Sequence, residues 1–506
     1  DLCPVGALTN KPAAFKVRPW DLTVYESIDV MESTSASIVL DTRFNELIRI
    51  KPRLNEDINE EWISDKTRFC VDGVKRQRLD MPLIKSDESG TLEPATWPDA
   101  LAYIEREISR LTASGEEQAG MMALAGDQMD IESMVALKDL MNMLGCNKTE
   151  CRMDGTQMDA DLRSNYLFNS TIPAIEYADT ALLVGCNPRM EAPLINTRLR
   201  KAYLNGLDVF LIGHDAKLNY EKEVLGDNLS ALQAVVDGNS PYSEILANAQ
   251  QPIIMFGMSS LFASKHAQTM SLVKELVAKY PNLCQPEAGW NGICFLQTRA
   301  GRNGGLDIGF VHNEQEEDLS ALKFVYCLGG DEYYRLAHIA SDAFIVYQGS
   351  HGDRGARRAN VVLPGCTWAE KNGTFVNIDG RVQRSKAALT PPGQARNDWQ
   401  IIRALSEVCG VPLPYDNIED LRQRMFDIAP HLEYIDQIEP SSFHLYDEQM
   451  QAAEDATPSD AVVAITNEPF EKYFQNYFAT DPISRASLVL KKASKQLPNS
   501  TNSWLQ

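Results

Sequence analysis

Residues 361–383 read Val361-Val362-Leu363-Pro364-Gly365-Cys366-Thr367-Trp368-Ala369-Glu370-Lys371-Asn372-Gly373-Thr374-Phe375-Val376-Asn377-Ile378-Asp379-Gly380-Arg381-Val382-Gln383. An apolar run breaks at Pro-Gly, and Glu370, Thr374, Asn377 and Arg381 then stand among apolar residues and glycines. Polar groups taken out of water need hydrogen-bond partners. The stretch therefore either surrounds a buried ligand or satisfies itself as a folded loop.

Working outward, short apolar runs alternate with helical patterns from about residue 85. Trp97, Leu101, Ile104, Ile108 and Leu111 recur at steps of four and three, which predicts an amphipathic helix capped by Thr96. Met121–Ala125 predicts a buried strand ending at Gly126-Asp127, and a helix from about Asp130 to Leu144 follows it. Ala181–Gly185 repeats the scheme, with Asn187-Pro188 as the break and a helix from Pro193 to Leu204. Val209–Ile212, Ile253–Phe256, Phe324–Leu328 and Phe344–Tyr347 predict further strands. On the far side, Asn397-Asp398 caps a helix over Trp399–Val408 that Gly410 and Pro412 stop. Strands alternating with helices imply parallel pairing, right-handed crossovers and a sheet covered on both faces, hence continuously apolar strands.

Several of these strands end in glycine: Val184-Gly185, Ile212-Gly213, Phe256-Gly257, Leu328-Gly329-Gly330-Asp331 and Gln348-Gly349. In open α/β sheets ligands bind beyond the carboxyl ends of strands, where glycine lets backbone N–H groups approach phosphates. The same glycines also serve turn geometry alone. Neither G-x-G-x-x-G nor a P-loop occurs, so NAD and ATP have no direct support.

Toward the N-terminus, Ser37–Asp41 and Glu46–Ile50 flank a polar turn and predict a hairpin. Ahead of them stands Cys3-Pro4-Val5-Gly6-Ala7-Leu8. A Cys-Pro followed by small residues looks like the closing ligand of a ferredoxin-type iron–sulfur run. The next cysteine is Cys70, so partner ligands would have to lie outside these residues. On spacing alone a free terminal cysteine is the other reading.

The 506 residues carry a net charge of −22, with 44% hydrophobic and 23% charged residues. This is a globular composition whose sign disfavours nucleic acid and anionic membrane surfaces. No stretch has the apolar length of a membrane span. The ten cysteines form no C-x-x-C pair and suit a reducing compartment or the mitochondrial matrix. The seven histidines form no H-x-x-x-H pair, which disfavours a histidine-built zinc site.

Residues 361–383 resemble the V-V-L-P…E-x-x-G-T-x-x-N-x-[ED]-G-R-x-Q signature of the molybdopterin oxidoreductase superfamily. There this loop leads into the part that closes over the pterin. Taken with Cys3–Thr9, Glu56–Phe69, Asp161–Tyr166, Leu183–Arg189 and Thr480–Ser487, the chain from 1 to about 495 is similar to the largest iron–sulfur core subunits of respiratory complex I. The resemblance implies an α/β fold class, with a small β-rich N-terminal domain followed by a large molybdopterin-oxidoreductase-like parallel-sheet region. The expected divisions are 1–22, the tail of a ferredoxin-like iron–sulfur module; 23–84, β-rich; 85–445, α/β; and 446–506, a linker and extension.

The resemblance makes Cys3 the fourth ligand of a [4Fe–4S] cluster whose other three ligands precede Asp1, and it assigns no catalytic residue to this chain. Some bacterial relatives close a further cluster with a cysteine in a C-D-R-G-R-F-like sequence. Here Ser64-Asp65-Lys66-Thr67-Arg68-Phe69 stands in its place, so that cluster is expected to be absent. No molybdenum is expected. The family places such a chain in the matrix-side peripheral arm at the mitochondrial inner membrane. Its partners there are the other complex I subunits, including the flavin-bearing NADH-binding subunit and an iron–sulfur chain or fragment preceding Asp1. Its role is electron transfer from NADH to ubiquinone, with the α/β region as scaffold. The rival is a stand-alone molybdopterin-dependent, formate-dehydrogenase-like oxidoreductase, which would need Cys146 or Cys151 as a metal thiolate.

Overall fold

The computed structural model describes residue 3 and residues 5–115, 120–312, 318–331, 333–439, 465–474 and 476–496. Asp1, Leu2 and Pro4, and most of the segment expected as a C-terminal linker and extension, lie outside the described residues. Near the N-terminus, Thr23–Ile28, Ser37–Arg43 and Glu46–Pro52 form a three-stranded antiparallel sheet. The predicted hairpin turns through Phe44-Asn45, with Phe44 left-handed at φ 53°. Two short helices follow, Asp65–Phe69 and Val71–Val74.

The expectation of one parallel sheet is replaced by two. Five strands form an all-parallel sheet in the order Glu223–Gly226, Asp208–Ile212, Thr180–Val184, Pro252–Gly257, Ile293–Leu296. Seven strands form the other, in the order Leu92–Pro94, Leu83–Lys85, Val361–Pro364, Phe344–Gly349, Phe324–Leu328, Met121–Ala125, Thr149–Glu150. Its first two strands are antiparallel, and the rest are parallel. The chain enters the seven-stranded sheet, leaves to build the five-stranded one, and returns. Strands buried on both faces look alike in sequence whichever sheet they join, so the pattern could not separate the two sheets. Val361–Pro364, not predicted as a strand, completes the parallel part; its terminal proline sits at the last paired position, opposite Gly349.

The helices form where the periodicity places them. Trp97–Ser114 begins with Thr96 accepting the Asp99 N–H at 3.3 Å, buries Leu101, Ile104, Ile108 and Leu111, and ends at left-handed Gly115. Ile131–Met143 starts with Asp130 accepting the Ser133 N–H at 3.2 Å. Pro193–Leu204 and Asp398–Val408 are the other two expected helices.

In each sheet the chain runs off in opposite directions from its first parallel strand. One such switch lies between Met121–Ala125 and Phe324–Leu328, the other between Thr180–Val184 and Pro252–Gly257. Crevices for ligands open at such points in α/β folds.

Candidate functional site: switch-point crevices and the Cys3 loop

At the first switch point, a Cβ on Gly126 would lie 2.0 Å from the Gly329 carbonyl oxygen. At the second, a Cβ on Gly257 would lie 2.4 Å from the Gly185 oxygen and 2.3 Å from Cys186 Cβ. The strand-end glycines thus bring backbone against backbone, and the space in which a phosphate would rest is closed.

Paired charges occupy the surroundings. Asp127, directly after Gly126, meets Arg299 at 2.6 Å. Arg302, fully buried, reaches Asp154 at 2.7 Å, and Asp154 also accepts a hydrogen bond from Tyr473. Burial pushes the Asp154 carboxyl up, but Arg302 and its other partners outweigh it and hold it well below the usual carboxylate range. Asp331 pairs with Arg485, which also reaches Asp353 at 2.6 Å. Burial dominates at Asp331 and lifts its carboxyl to about 6.

The loop after Val361–Pro364 resolves its two readings in favour of the folded loop. Glu370 accepts two hydrogen bonds from Arg78, at 2.5 and 2.8 Å. Thr374 donates its hydroxyl and its N–H to the two oxygens of Glu132, each at 2.7 Å. Asn377 accepts the Arg381 N–H at 2.8 Å, and Arg381 Nη1 donates to the Asp436 carbonyl at 2.6 Å.

A metal-bearing pterin does not fit these residues. The cavity beside Asp127, Thr367 and Trp368 measures about 30 Å³, room for a water molecule. The strand ends offer a phosphorylated ligand the carboxylates of Asp127 and Asp331. Cys151, packed against Gly305, is a buried thiol that desolvation pushes up to about 12. Cys146 donates to the Met121 carbonyl at 3.1 Å, at the start of the strand whose opposite end faces the crevice. Neither supplies a thiolate.

A larger cleft of about 1450 Å³ lies beside Glu150, Arg152, Lys265 and His266. The Glu150 carboxylate is clamped by Arg152 at 2.7 Å and Arg335 at 3.1 Å. Among the described residues no group of three or more metal-donor side chains comes together.

In the β-rich part, Ser64 is the N-cap of Asp65–Phe69, its oxygen accepting the Thr67 N–H at 3.2 Å. Cys70 is fully buried, donates to the Thr67 carbonyl at 3.3 Å and is held as a thiol by desolvation. These residues do not fit a second cluster. A buried set of ionisable groups is packed there: Thr67 donates to Asp29 at 2.5 Å, and Tyr477 donates to Glu32 at 2.6 Å. Lys66 stands 3.9 Å from Glu32. Burial, and next the charge of Glu32, raise the Asp29 carboxyl to about 7. Nothing in the local sequence announced this cluster, because Tyr477 arrives from the far end of the chain.

Cys3 is partly exposed. The backbone N–H of Leu8 first, then those of Val5 and Ala7, hold its thiol below the ordinary value. Peptide N–H groups around a cysteine sulfur favour the thiolate and fit a metal-bound sulfur. Around it Val5, Leu8, Phe15 and Trp20 are each at least 75% exposed.

Residues 78–408 match the molybdopterin oxidoreductase family model and 22–72 the NADH-ubiquinone oxidoreductase NDSU1/NuoG-like 4Fe-4S domain. Residues 437–493 match the C-terminal family model of the corresponding NADH-ubiquinone oxidoreductase subunit. The mitochondrial NADH-ubiquinone oxidoreductase 78 kDa subunit of Candida albicans is 45% identical over 496 residues, covering 97% of this chain and 67% of that one. The 78 kDa subunit of Neurospora crassa is 44% identical, covering 98% and 65%. The 75 kDa subunit of Reclinomonas americana is 41% identical, covering 98% and 71%. The chain thus spans about two thirds of the length of these relatives. Acetylene hydratase from Pelobacter acetylenicus superposes with a TM-score of 0.51 at 11% identity, over 82% of this chain and 74% of that one, a likeness of fold. With a closed pterin crevice, a nested Cys3 and relatives of this identity, the chain belongs to the 75/78 kDa subunit family of NADH-ubiquinone oxidoreductase, built on a molybdopterin oxidoreductase fold.

Proposed function

We propose that this chain is a core subunit of the peripheral arm of respiratory complex I, at the matrix face of the mitochondrial inner membrane. In this reading it serves electron transfer from NADH to ubiquinone by contributing Cys3 as one ligand of a [4Fe–4S] cluster. The observation that carries it is the cradle of backbone N–H groups from Leu8, Val5 and Ala7 about the Cys3 sulfur. When bound, such a cluster supplies one-electron storage. This chain's own part is to hold a thiolate in a loop and to lend that sulfur hydrogen-bond donors. The other three thiolates come from an iron–sulfur chain or segment that meets residues 5–24, of which none is buried and whose Phe15 and Trp20 stand exposed. The parts are divided as 1–22, 23–84, 85–445 and 446–506, and the α/β part acts as scaffold and docking surface for the flavin-bearing subunit and other neighbours. Among the described residues no helix is long and apolar enough to cross a membrane.

The test is Cys3→Ala in the assembled complex, followed by low-temperature EPR of the NADH-reduced enzyme. One [4Fe–4S] signal is expected to disappear while the others persist. An unchanged spectrum would remove Cys3 from the ligand set.

A further inference from the structure

The segment 465–474 crosses the region beyond the carboxyl ends of the five-stranded sheet and then reaches the seven-stranded one. It begins at the helix His266–Lys279, where Gln268 Oε1 accepts the Thr466 N–H and hydroxyl at 3.1 and 3.2 Å. Asn467 accepts hydrogen bonds from Ser230 and, through its carbonyl at 3.4 Å, from Asn228, the N-cap of the helix Leu229–Asp237. Phe470 donates its N–H to the Asp227 carbonyl at 2.8 Å, and its ring is 5% exposed. That ring lies 3.1 Å from where a Cβ on Gly185 would stand, directly at the second switch point. Beyond it, Tyr473 donates to Asp154 and accepts from Thr298 at 3.1 Å, while Arg299 stacks on Phe474 at 5.3 Å.

We propose that residues 465–474 are an intramolecular occupant of the ligand crevice: a strap that fills the position beyond the strand ends and clasps the five-stranded unit to the seven-stranded one. Its contacts are those a ligand would make there. An aromatic ring covers the strand-end glycine, a backbone N–H bonds to an inter-element loop, and a hydroxyl closes the Asp154–Arg302 pair. Ligands bridging two α/β units hold them in one arrangement. Here the chain carries that bridge itself, so the scaffold needs no cofactor to stay closed. The inference stands apart from the role of Cys3.

Hydrogen–deuterium exchange of the assembled complex tests it. Phe470→Ala should speed exchange about tenfold in peptides covering 184–187 and 257–262, leaving the hairpin 37–52 unchanged. Tyr473→Phe, which removes a single hydroxyl, should speed exchange at 154–156 and 298–302. If Phe470→Ala loosens the whole chain, the Tyr473→Phe result decides between a clasp and mere packing. Unaltered exchange at 154–156 and 298–302 in Tyr473→Phe, or at 184–187 in Phe470→Ala, overturns the proposal.

Discussion

Lys371 Nζ lies 2.5 Å from Asp130 Oδ1, joining the middle of the signature loop to the cap of the first helix after Met121–Ala125. The same ammonium reaches Asp398 Oδ2 at 2.8 Å, at the start of the helix Asp398–Val408. All three side chains are buried. Burial alone would push the Asp130 carboxyl up, but the charge and hydrogen bond of Lys371 bring it below its ordinary value, whereas burial prevails at Asp398 and raises it. One cation thus pins three segments that are distant in sequence.

Lys371→Met should therefore cost about 3–5 kcal/mol, because it leaves two buried carboxyls facing each other without a cation. Urea denaturation of the chain would read this as a lowered midpoint at unchanged slope. A loss below about 1 kcal/mol would show that the pin is dispensable.

Asp29 and Glu191 give a pH dependence of definite sign. Both carboxyls are raised to about 7 by burial, from ordinary values of 3.8 and 4.5. Around Asp29 stand Glu32, Lys66, Thr67, Cys70 and Asp481. A raised folded-state pKa means that the fold prefers the protonated form. The contribution is complete below the ordinary pKa and is lost as pH rises through about 7. Asp29→Asn and Glu191→Gln should each become more stable relative to the parent between pH 5 and pH 8. Denaturation midpoints at the two pH values check this, and a difference independent of pH would contradict it.

Gly257→Ala should lose about 3 kcal/mol, since the added carbon meets the Gly185 carbonyl at 2.4 Å and backbone must move. Gly120→Ala is the control, as its Cβ would find only ordinary contact with Lys323 at 3.7 Å. Thermal melts of the two variants should separate clearly. Similar melting temperatures would mean that the switch point yields easily.

Cys151→Ser should leave the iron content and cluster EPR of the assembled complex at parental levels, because the buried thiol is held up at about 12. Native-state alkylation should likewise spare Cys151 and proceed only after denaturation. Loss of any metal signal would make Cys151 a ligand after all.

Much of this was legible along the chain. Thr96, Asp130 and Asn397 mark helix starts, and Met121–Ala125, Phe324–Leu328 and Pro193–Leu204 lie where apolar runs and periodicity place them, because capping and burial act within a few residues of sequence. Ser64, in a position where some relatives carry a cysteine, takes up a cap. The strand-end glycines left two uses open, a phosphate cradle or a turn. The structure adds a third, backbone contact across the switch points, which depends on which strands become neighbours.

The fold class, the family and the candidate thiolate at Cys3 are readable from the chain alone, since they rest on local pattern and on motifs of fixed spacing. It took packing in three dimensions to establish that there are two sheets, that Lys371 serves Asp130 and Asp398 together, and that Phe470 and Tyr473 lie across the crevice. Those partners are tens to hundreds of residues apart. Their pairing follows from the packing of whole units, where charges excluded from water must find each other, and no window of sequence carries that information.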